Sequence, residues 1–169
     1  ENELVHVASA TLTSPEHDPD EAVEIYRSYH RNNFGERIKV FSGMKELLAE
    51  LKARGIKTAV VTSRAGVTTV EGLESYGLSD YFDALVTCDD TDRHKPDPEP
   101  VNIALKKLAS KPENALMIGD SMYDIMCARN AGVKSVLVGW QLAVTPEEIN
   151  GEAGPDYTVE TAEEILNLI

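Results

Sequence analysis

The run from Ala115 to Asp124 constrains the fold of this chain most strongly, because an apolar segment passes there directly into acidic residues. It reads ALMIGDSMYD. A short apolar run followed by glycine, an acid and a helix start is typical of a strand that ends at the mouth of an α/β sheet, where ligands of such sheets bind. We therefore expect Asp120 at a strand end and Ser121 as the cap of the helix that follows.

Asp120 and Asp124 stand four positions apart, about one helical turn, so both carboxylates can face the same mouth. Mg²⁺ is a hard cation that takes oxygen ligands and keeps several of its waters. The pair therefore predicts a Mg²⁺ site. A second interpretation stays open on these residues alone: Asp120 caps the helix and Asp124 is solvated.

Strands and helices alternate along the chain from Ser42 onward, which is typical of an α/β fold with a parallel sheet covered on both faces. Ser42 is the predicted cap of the first of these helices and Gly55 its stop. Before Ser42, apolar residues at helical spacing predict a helix over residues 19–33. The later predicted strands are 56–61, one within 81–87, 116–118, 135–138 and 157–159, and the predicted helices are 66–76, 99–109, 121–132, one from Pro146 and one capped by Thr161.

Composition excludes several classes of partner. The chain has 169 residues, which fits one domain or one domain with a small appendage. Its net charge of −13 argues against a nucleic acid or an anionic membrane, since either would require a basic face. No apolar run approaches the length of a membrane span. The two cysteines, Cys88 and Cys127, lie far apart and fit a reducing cytoplasm rather than a disulfide framework.

Two further polar segments follow predicted strands. Thr62-Ser63-Arg64 comes after the strand at 56–61, and a hydroxyl beside a helix N-terminus can donate to a phosphate oxygen. Viewed alone, Thr62 and Ser63 are more readily explained as a helix cap. Lys95 lies in the stiff loop HKPDP, just before a predicted helix, where its ammonium can hold an anionic oxygen and offset clustered carboxylates.

The order of these segments resembles the haloacid dehalogenase-like (HAD) hydrolase superfamily, whose members are mostly phosphatases. That family has a strand-end Thr or Ser, then a Lys, then a Gly-Asp with a second acid. The run DDTDRHKPDPEP at 89–100, with GDS at 119–121, looks most like the pyrophosphatase and phosphoglycolate phosphatase branch. The resemblance covers residues 40–169, where it implies a Rossmann-like three-layer α/β core with a parallel sheet. Residues 1–39 would then be the remnant of a helical cap.

The resemblance also assigns roles to the candidate residues. It implies that Thr62 holds the phosphoryl group and that Lys95 neutralises its charge. The metal, Mg²⁺, would be bound by Asp120 and Asp124. The implied phosphate-binding set also includes the backbone N–H groups of Ser63 and Arg64.

One departure from the family pattern concerns the nucleophile, which the family carries in an Asp-x-Asp motif after its first core strand. Asp18-Pro19-Asp20 has the spacing but fits a helix start, and Asp90-Thr91-Asp92 lies in the loop leading to Lys95. We therefore expect this chain alone to be inactive. The missing central strand would lie between the strands ending at Thr62 and Ile118, supplied by an N-terminal segment of a longer protein or by a second chain.

Three functions remain to be compared. The first is a Mg²⁺-dependent phosphatase, acting on a small phosphate ester or pyrophosphate through an aspartyl-phosphate in the parent protein. The second is a non-catalytic domain, regulatory or vestigial, that binds metal and phosphate. A receiver-like signalling domain ranks third, because its acid pair would precede the Thr and Lys, whereas the Gly-Asp here comes last.

Residues 4–13 are a further, less favoured candidate for the central strand.

Overall fold

The computed structural model describes residues 39–140 and 144–169 of the chain. The helix predicted over residues 19–33 and the cap assigned to residues 1–39 lie outside the described residues. Val40–Ile169 forms one unit by its internal contacts, and strands alternate with helices along it, as predicted.

The elements of the described part follow one another in strict chain order. The strands are β1 (Ala59–Val61), β2 (Ala84–Val86), β3 (Leu116–Gly119), β4 (Lys134–Val138) and β5 (Tyr157–Val159). The helices are α1 (Met44–Ala53), α2 (Gly66–Ser75), α3 (Glu99–Leu108), α4 (Met122–Asn130), α5 (Pro146–Asn150) and α6 (Ala162–Ile165). Short 3₁₀ turns occupy Ser79–Tyr81, Cys88–Asp90, Pro112–Asn114 and Leu166–Leu168. None of the described helices is long and apolar enough to cross a lipid bilayer.

All strand pairings among the described residues are parallel, which confirms the predicted parallel arrangement. β1 pairs with β2, and β3, β4 and β5 form a second ladder in that order. Within the described part, β1 and β3 do not pair with each other. On β3, Ile118 leaves 41% of its surface exposed. The central strand that the resemblance implies between β1 and β3 stays a prediction.

The core is organised around β4, whose last four residues are all buried. Val136 and Val138 pack into the cluster that contains residues of α1 and α6. Leu137, between them, packs instead against Ile125 of α4 and Val144. Because successive strand residues face opposite sides of a sheet, β4 is covered by helices on both faces. A third cluster joins α3 to α4 through Val101, Leu105, Cys127, Ala128 and Val133.

Local signals predicted most element ends correctly. Ser121 and Thr161 cap α4 and α6, their hydroxyls accepting backbone N–H groups at 3.4 Å. The prediction that Ser42 caps α1 was wrong, because Gly43 occupies that position with a φ of +78° and no side-chain cap. Glycine reaches this left-handed conformation at little steric cost.

The strand predicted at 56–61 was wrong in extent and in burial. The observed β1 is Ala59–Val61, and its three residues are only partly buried. Among the described residues β1 has β2 as its one strand neighbour. No strand of residues 39–140 or 144–169 covers its other edge, whereas the apolar sequence led us to expect a strand buried on both faces.

Candidate active site

Gly119 ends β3 and allows the first turn of α4 to lie against the strand end. A Cβ at this position would stand 2.2 Å from Asp124 Cβ and 2.6 Å from its Cγ. No real Cβ tolerates such contacts. Glycine is required here for close approach, and that approach places the Asp124 carboxylate beside the backbone that leads into Asp120.

Asp124 is buried, with 7% of its surface exposed, and both of its carboxylate oxygens have protein partners. Lys95 Nζ donates to Oδ1 at 2.6 Å, and Ser121 Oγ donates to Oδ2 at 2.7 Å. The partial positive charge at the N-terminus of α4 favours an anion at this position. Asp124 is thus a fixed carboxylate.

Lys95 bridges the two strand ladders. Its Nζ donates both to Asp124 Oδ1 and, at 2.8 Å, to the carbonyl oxygen of Val61, the last residue of β1. The side chain is 13% exposed. The predicted convergence of Lys95 with the acids after β3 is therefore present for Asp124, with an ammonium held between the ends of β1 and β3.

Asp120 has a different environment from Asp124. It is partly buried, and its carboxylate makes no hydrogen bond or ion pair with another described residue. Because the Asp120 carboxylate has no partner among the described residues, it suits Mg²⁺, which binds through one or two carboxylates and completes its shell with water and substrate oxygens. The described residues contain no group of three or more His, Cys, Asp or Glu side chains suited to a metal. The assignment of Mg²⁺ to Asp120, with Asp124 as a second ligand or as a partner to a metal-bound water, stays a prediction.

Thr62 continues the ladder of β1, since its backbone N–H donates to Val86 O at 2.9 Å. Its Oγ1 accepts the N–H of Arg64 at 3.2 Å. Ser63 and Arg64 are exposed. Neither hydroxyl caps α2, whose N-cap residue is Ala65 without a side-chain hydrogen bond, so the helix-cap interpretation of Thr62 and Ser63 was wrong.

The loop after β2 contributes a carboxylate that the sequence reasoning did not single out. Asp89 Oδ2 accepts the N–H of Gly66 at 2.7 Å, at the N-terminus of α2, and the N–H of Cys88 donates to Arg64 O at 3.1 Å. These two bonds tie the loop after β1 to the loop after β2. The sequence signal for this contact was the acid pair Asp89-Asp90 shortly after β2, since an acidic side chain can accept a free N–H at a helix start.

Asp90 fixes the same loop from the other side. It forms a capping box with Thr87 and accepts Lys107 Nζ of α3 at 3.1 Å. The backbone N–H of Thr87 and the Lys107 ammonium lower the pKa of the Asp90 carboxyl from its ordinary value. The Asp90-Thr91-Asp92 run therefore serves the loop structure, which agrees with its rejection as a nucleophile motif.

Other polar and aromatic residues near this end of the sheet have separate contacts. His94 is exposed, with Nδ1 3.2 Å from Thr91 Oγ1, and Tyr123 is 64% exposed. Trp140 packs against the core and against the ring of Phe41, 5.9 Å between centroids. A cavity of about 460 Å³ lies elsewhere, at the amino end of β4, between Lys134 and the turn at 151–156.

Comparisons with known proteins agree with this architecture. The sequence matches the haloacid dehalogenase-like hydrolase family over residues 5–138. A protein of Caldanaerobacter subterraneus subsp. tengcongensis is 46% identical over 147 residues, which are 87% of this chain and 66% of that protein. The pyrophosphatase PpaX of Halalkalibacterium halodurans is 33% identical over 155 residues, 90% of this chain and 71% of that enzyme.

A solved structure has the same fold. The crystal structure of a predicted phosphatase from Clostridium acetobutylicum superimposes with a TM-score of 0.74 at 28% identity, over 96% of this chain and 76% of that one. The chain thus spans about two thirds of the length of the curated relatives that it matches.

Proposed function

The chain belongs to the haloacid dehalogenase-like hydrolases, and on that premise we propose that it is the core of a Mg²⁺-dependent phosphatase acting on a small phosphate ester or pyrophosphate. The observation that carries this proposal is the position of Lys95, held between Val61 O and Asp124, the acid about one helical turn after Asp120. A fixed ammonium next to a carboxylate suited to Mg²⁺ is an arrangement that binds a phosphoryl group.

Each residue has a distinct part in this mechanism. The hydroxyl of Thr62 already accepts an N–H on its oxygen, so its own proton is free to donate to a phosphoryl oxygen. Lys95 offsets the negative charge that spreads over those oxygens in the transition state. Asp120 would hold Mg²⁺, and Asp124 keeps Lys95 in place. When bound, Mg²⁺ supplies Lewis-acid polarisation of the phosphoryl group.

The nucleophile in this proposal is an aspartate outside the described residues. Its carboxylate attacks phosphorus as the bond from phosphorus to the leaving oxygen breaks and the alcohol or phosphate departs, and water then splits the aspartyl-phosphate into inorganic phosphate and the free aspartate. Its natural place is on a strand between β1 and β3, supplied by a further segment of the protein or by a second chain. The substrate class is supported by the relative named pyrophosphatase PpaX, and the low cysteine count is compatible with a cytoplasmic protein.

A non-catalytic metal- and phosphate-binding domain is the second candidate. The observation in its favour is that both oxygens of Asp124 and the ammonium of Lys95 are already paired within the described residues. Such a domain would retain Mg²⁺-dependent phosphate affinity without turnover.

The test is hydrolysis of pyrophosphate, phosphoglycolate and p-nitrophenyl phosphate by the protein at its natural length, with and without Mg²⁺. We expect turnover only with Mg²⁺, and a loss of at least about 10²-fold in kcat for Lys95→Ala, as for other groups that stabilise transition-state charge. Lys107→Ala is the matched control, since this lysine also pairs with a carboxylate but lies on α3, outside the site.

Two results would each contradict one part of this proposal. Wild-type turnover in Lys95→Ala would refute the role of the ammonium. Phosphate binding without turnover on any of the three substrates would favour the non-catalytic alternative.

A further inference from the structure

The segment Lys95-Pro96-Asp97 is held to α4 by three side chains of that helix, one for each residue of the segment. Asp124 accepts the Lys95 ammonium, as described above. Cys127 Sγ donates to Asp97 O at 3.0 Å, and Asn130 Nδ2 donates to Pro96 O at 2.9 Å. The same helix therefore contacts both the end of the Lys95 side chain and the backbone from which that side chain extends.

We propose that Cys127 and Asn130 are positioning residues that set the place of the Lys95 ammonium relative to Asp120. This proposal rests on the function proposed for Lys95 above. Positions 124, 127 and 130 follow one another at three-residue spacing, so their side chains are neighbours along α4. Because one rigid helix supplies all three contacts, the backbone of Lys95 and the carboxylate of Asp124 keep a fixed separation.

The loop's other side-chain contacts do not supply this link. Arg93 pairs with Asp97 at 3.2 Å and with Glu99 at 3.3 Å, and the Glu99 carboxylate accepts the N–H groups of Asp92 and Arg93. These bonds fold the loop onto itself and onto the start of α3. The hydrogen bonds of Cys127 and Asn130 are the described side-chain bonds that join α4 to the backbone of this loop, beside the packing of α3 on α4.

The two residues differ in burial, which makes them complementary as tests. Cys127 is fully buried within the α3–α4 cluster, and this burial raises the pKa of its thiol, so that it remains a neutral donor. Asn130 is exposed at the end of α4. An exposed side chain can be truncated without opening a core cavity, so an effect of Asn130→Ala on Lys95 would report the hydrogen bond.

The functional consequence is a loss of kcat with little change in KM, because the substrate contacts themselves are untouched. A displacement of about 1 Å at a reacting group can cost about 10²-fold in rate. For Asn130→Ala we expect kcat to fall about tenfold, within that range, and KM to stay within about twofold of wild type. Asn130→Gln keeps an amide donor and should recover part of the loss.

A second readout does not depend on turnover. Acetylation of the Lys95 amine by acetic anhydride, followed by peptide mass spectrometry, reports how well the ammonium is held, since its side chain is only 13% exposed. We expect Lys95 to label about fivefold faster in Asn130→Ala and in Cys127→Val, which removes the thiol donor and adds one heavy atom at a buried position. Arg129→Ala is the matched control. Arg129 precedes Asn130 and is also exposed, but the hydrogen bonds from α4 to Pro96 and Asp97 come from Asn130 and Cys127.

The labelling results distinguish failure of this proposal from failure of the proposed function. Faster labelling of Lys95 alone, with the Arg129→Ala rate unchanged, supports the proposal even if no hydrolysis is found, which would refute only the proposed function. Wild-type Lys95 labelling in both Asn130→Ala and Cys127→Val would overturn it. A uniform rise in the labelling of all lysines would also overturn it, because it would indicate general destabilisation.

Discussion

Replacing Gly119 by alanine tests whether the close approach of α4 to the end of β3 builds the site. The new Cβ would lie 2.2, 2.6 and 2.8 Å from three atoms of the Asp124 side chain, about 1.2 Å short of an ordinary contact of 3.4 Å at the nearest of them. Asp124 cannot turn aside cheaply, because Lys95 and Ser121 hold both of its carboxylate oxygens. The backbone of α4 or of β3 must therefore move.

Overpacking of this kind costs about 1–3 kcal/mol, occasionally more. We expect about 3 kcal/mol for Gly119→Ala, at the upper end, because the obstructing atoms include a Cβ fixed to a helix backbone. For a chain of this length each kcal/mol lowers Tm by about 2–4 °C, so the expected drop is about 6–12 °C.

The measurement is urea and thermal unfolding followed by the fluorescence of Trp140, the one tryptophan of the chain. Gly55→Ala is the matched control. A Cβ at Gly55 would meet no atom within 4 Å, but its φ of +69° imposes a left-handed penalty of about 1–2 kcal/mol. If Gly119→Ala is no more destabilising than Gly55→Ala, the steric reasoning is refuted.

Two further predictions concern Asp156, at the amino end of β4, and Asp89, in the loop after β2. The Lys134 ammonium and the backbone N–H of Ser135 lower the pKa of the Asp156 carboxyl in the folded chain. The ionised carboxyl therefore adds to the unfolding free energy above its ordinary pKa of about 3.9. This contribution is lost as the pH falls through the lower pKa of the folded state. Asp156→Asn should therefore be less stable than wild type at pH 7, and the gap in unfolding free energy should narrow at pH 3; a gap independent of pH would contradict this. Asp89→Ala should cost about 1 kcal/mol of unfolding free energy by removing the acceptor at the N-terminus of α2; an unchanged urea midpoint would show that the bond contributes nothing.

The parts of the fold that sequence predicted correctly depend on short-range chemistry. The cap at Ser121, the end of α1 before Gly55, and the alternation of strands with helices all follow from residues within a few positions of one another. Chain order then placed Lys95 and Asp124 at the same edge, because parallel strands bring their carboxyl ends together.

The contacts that fix the site in place were not predictable in the same way. Asp89 meets Gly66 across 23 positions, and Asn130 meets Pro96 across 34. In both cases a side chain bonds to a backbone group, and a backbone group has no sequence signature of its own. The prediction that Ser42 caps α1 was wrong for a local reason. The neighbouring Gly43 adopts a left-handed conformation and takes the N-cap position instead.

The contact between Lys95 and the carbonyl of Val61 places a positive charge at the end of β1, on the edge of that strand that points away from β2. Thr62 donates its N–H toward β2, and backbone groups of successive strand residues point to opposite sides, so the Val61 carbonyl points away from β2. A strand inserted beside β1 would find this last acceptor already taken by an ammonium. The carbonyl oxygen has a second lone pair that such a strand could share, but a side chain of that strand level with Val61 would lie next to a positive charge.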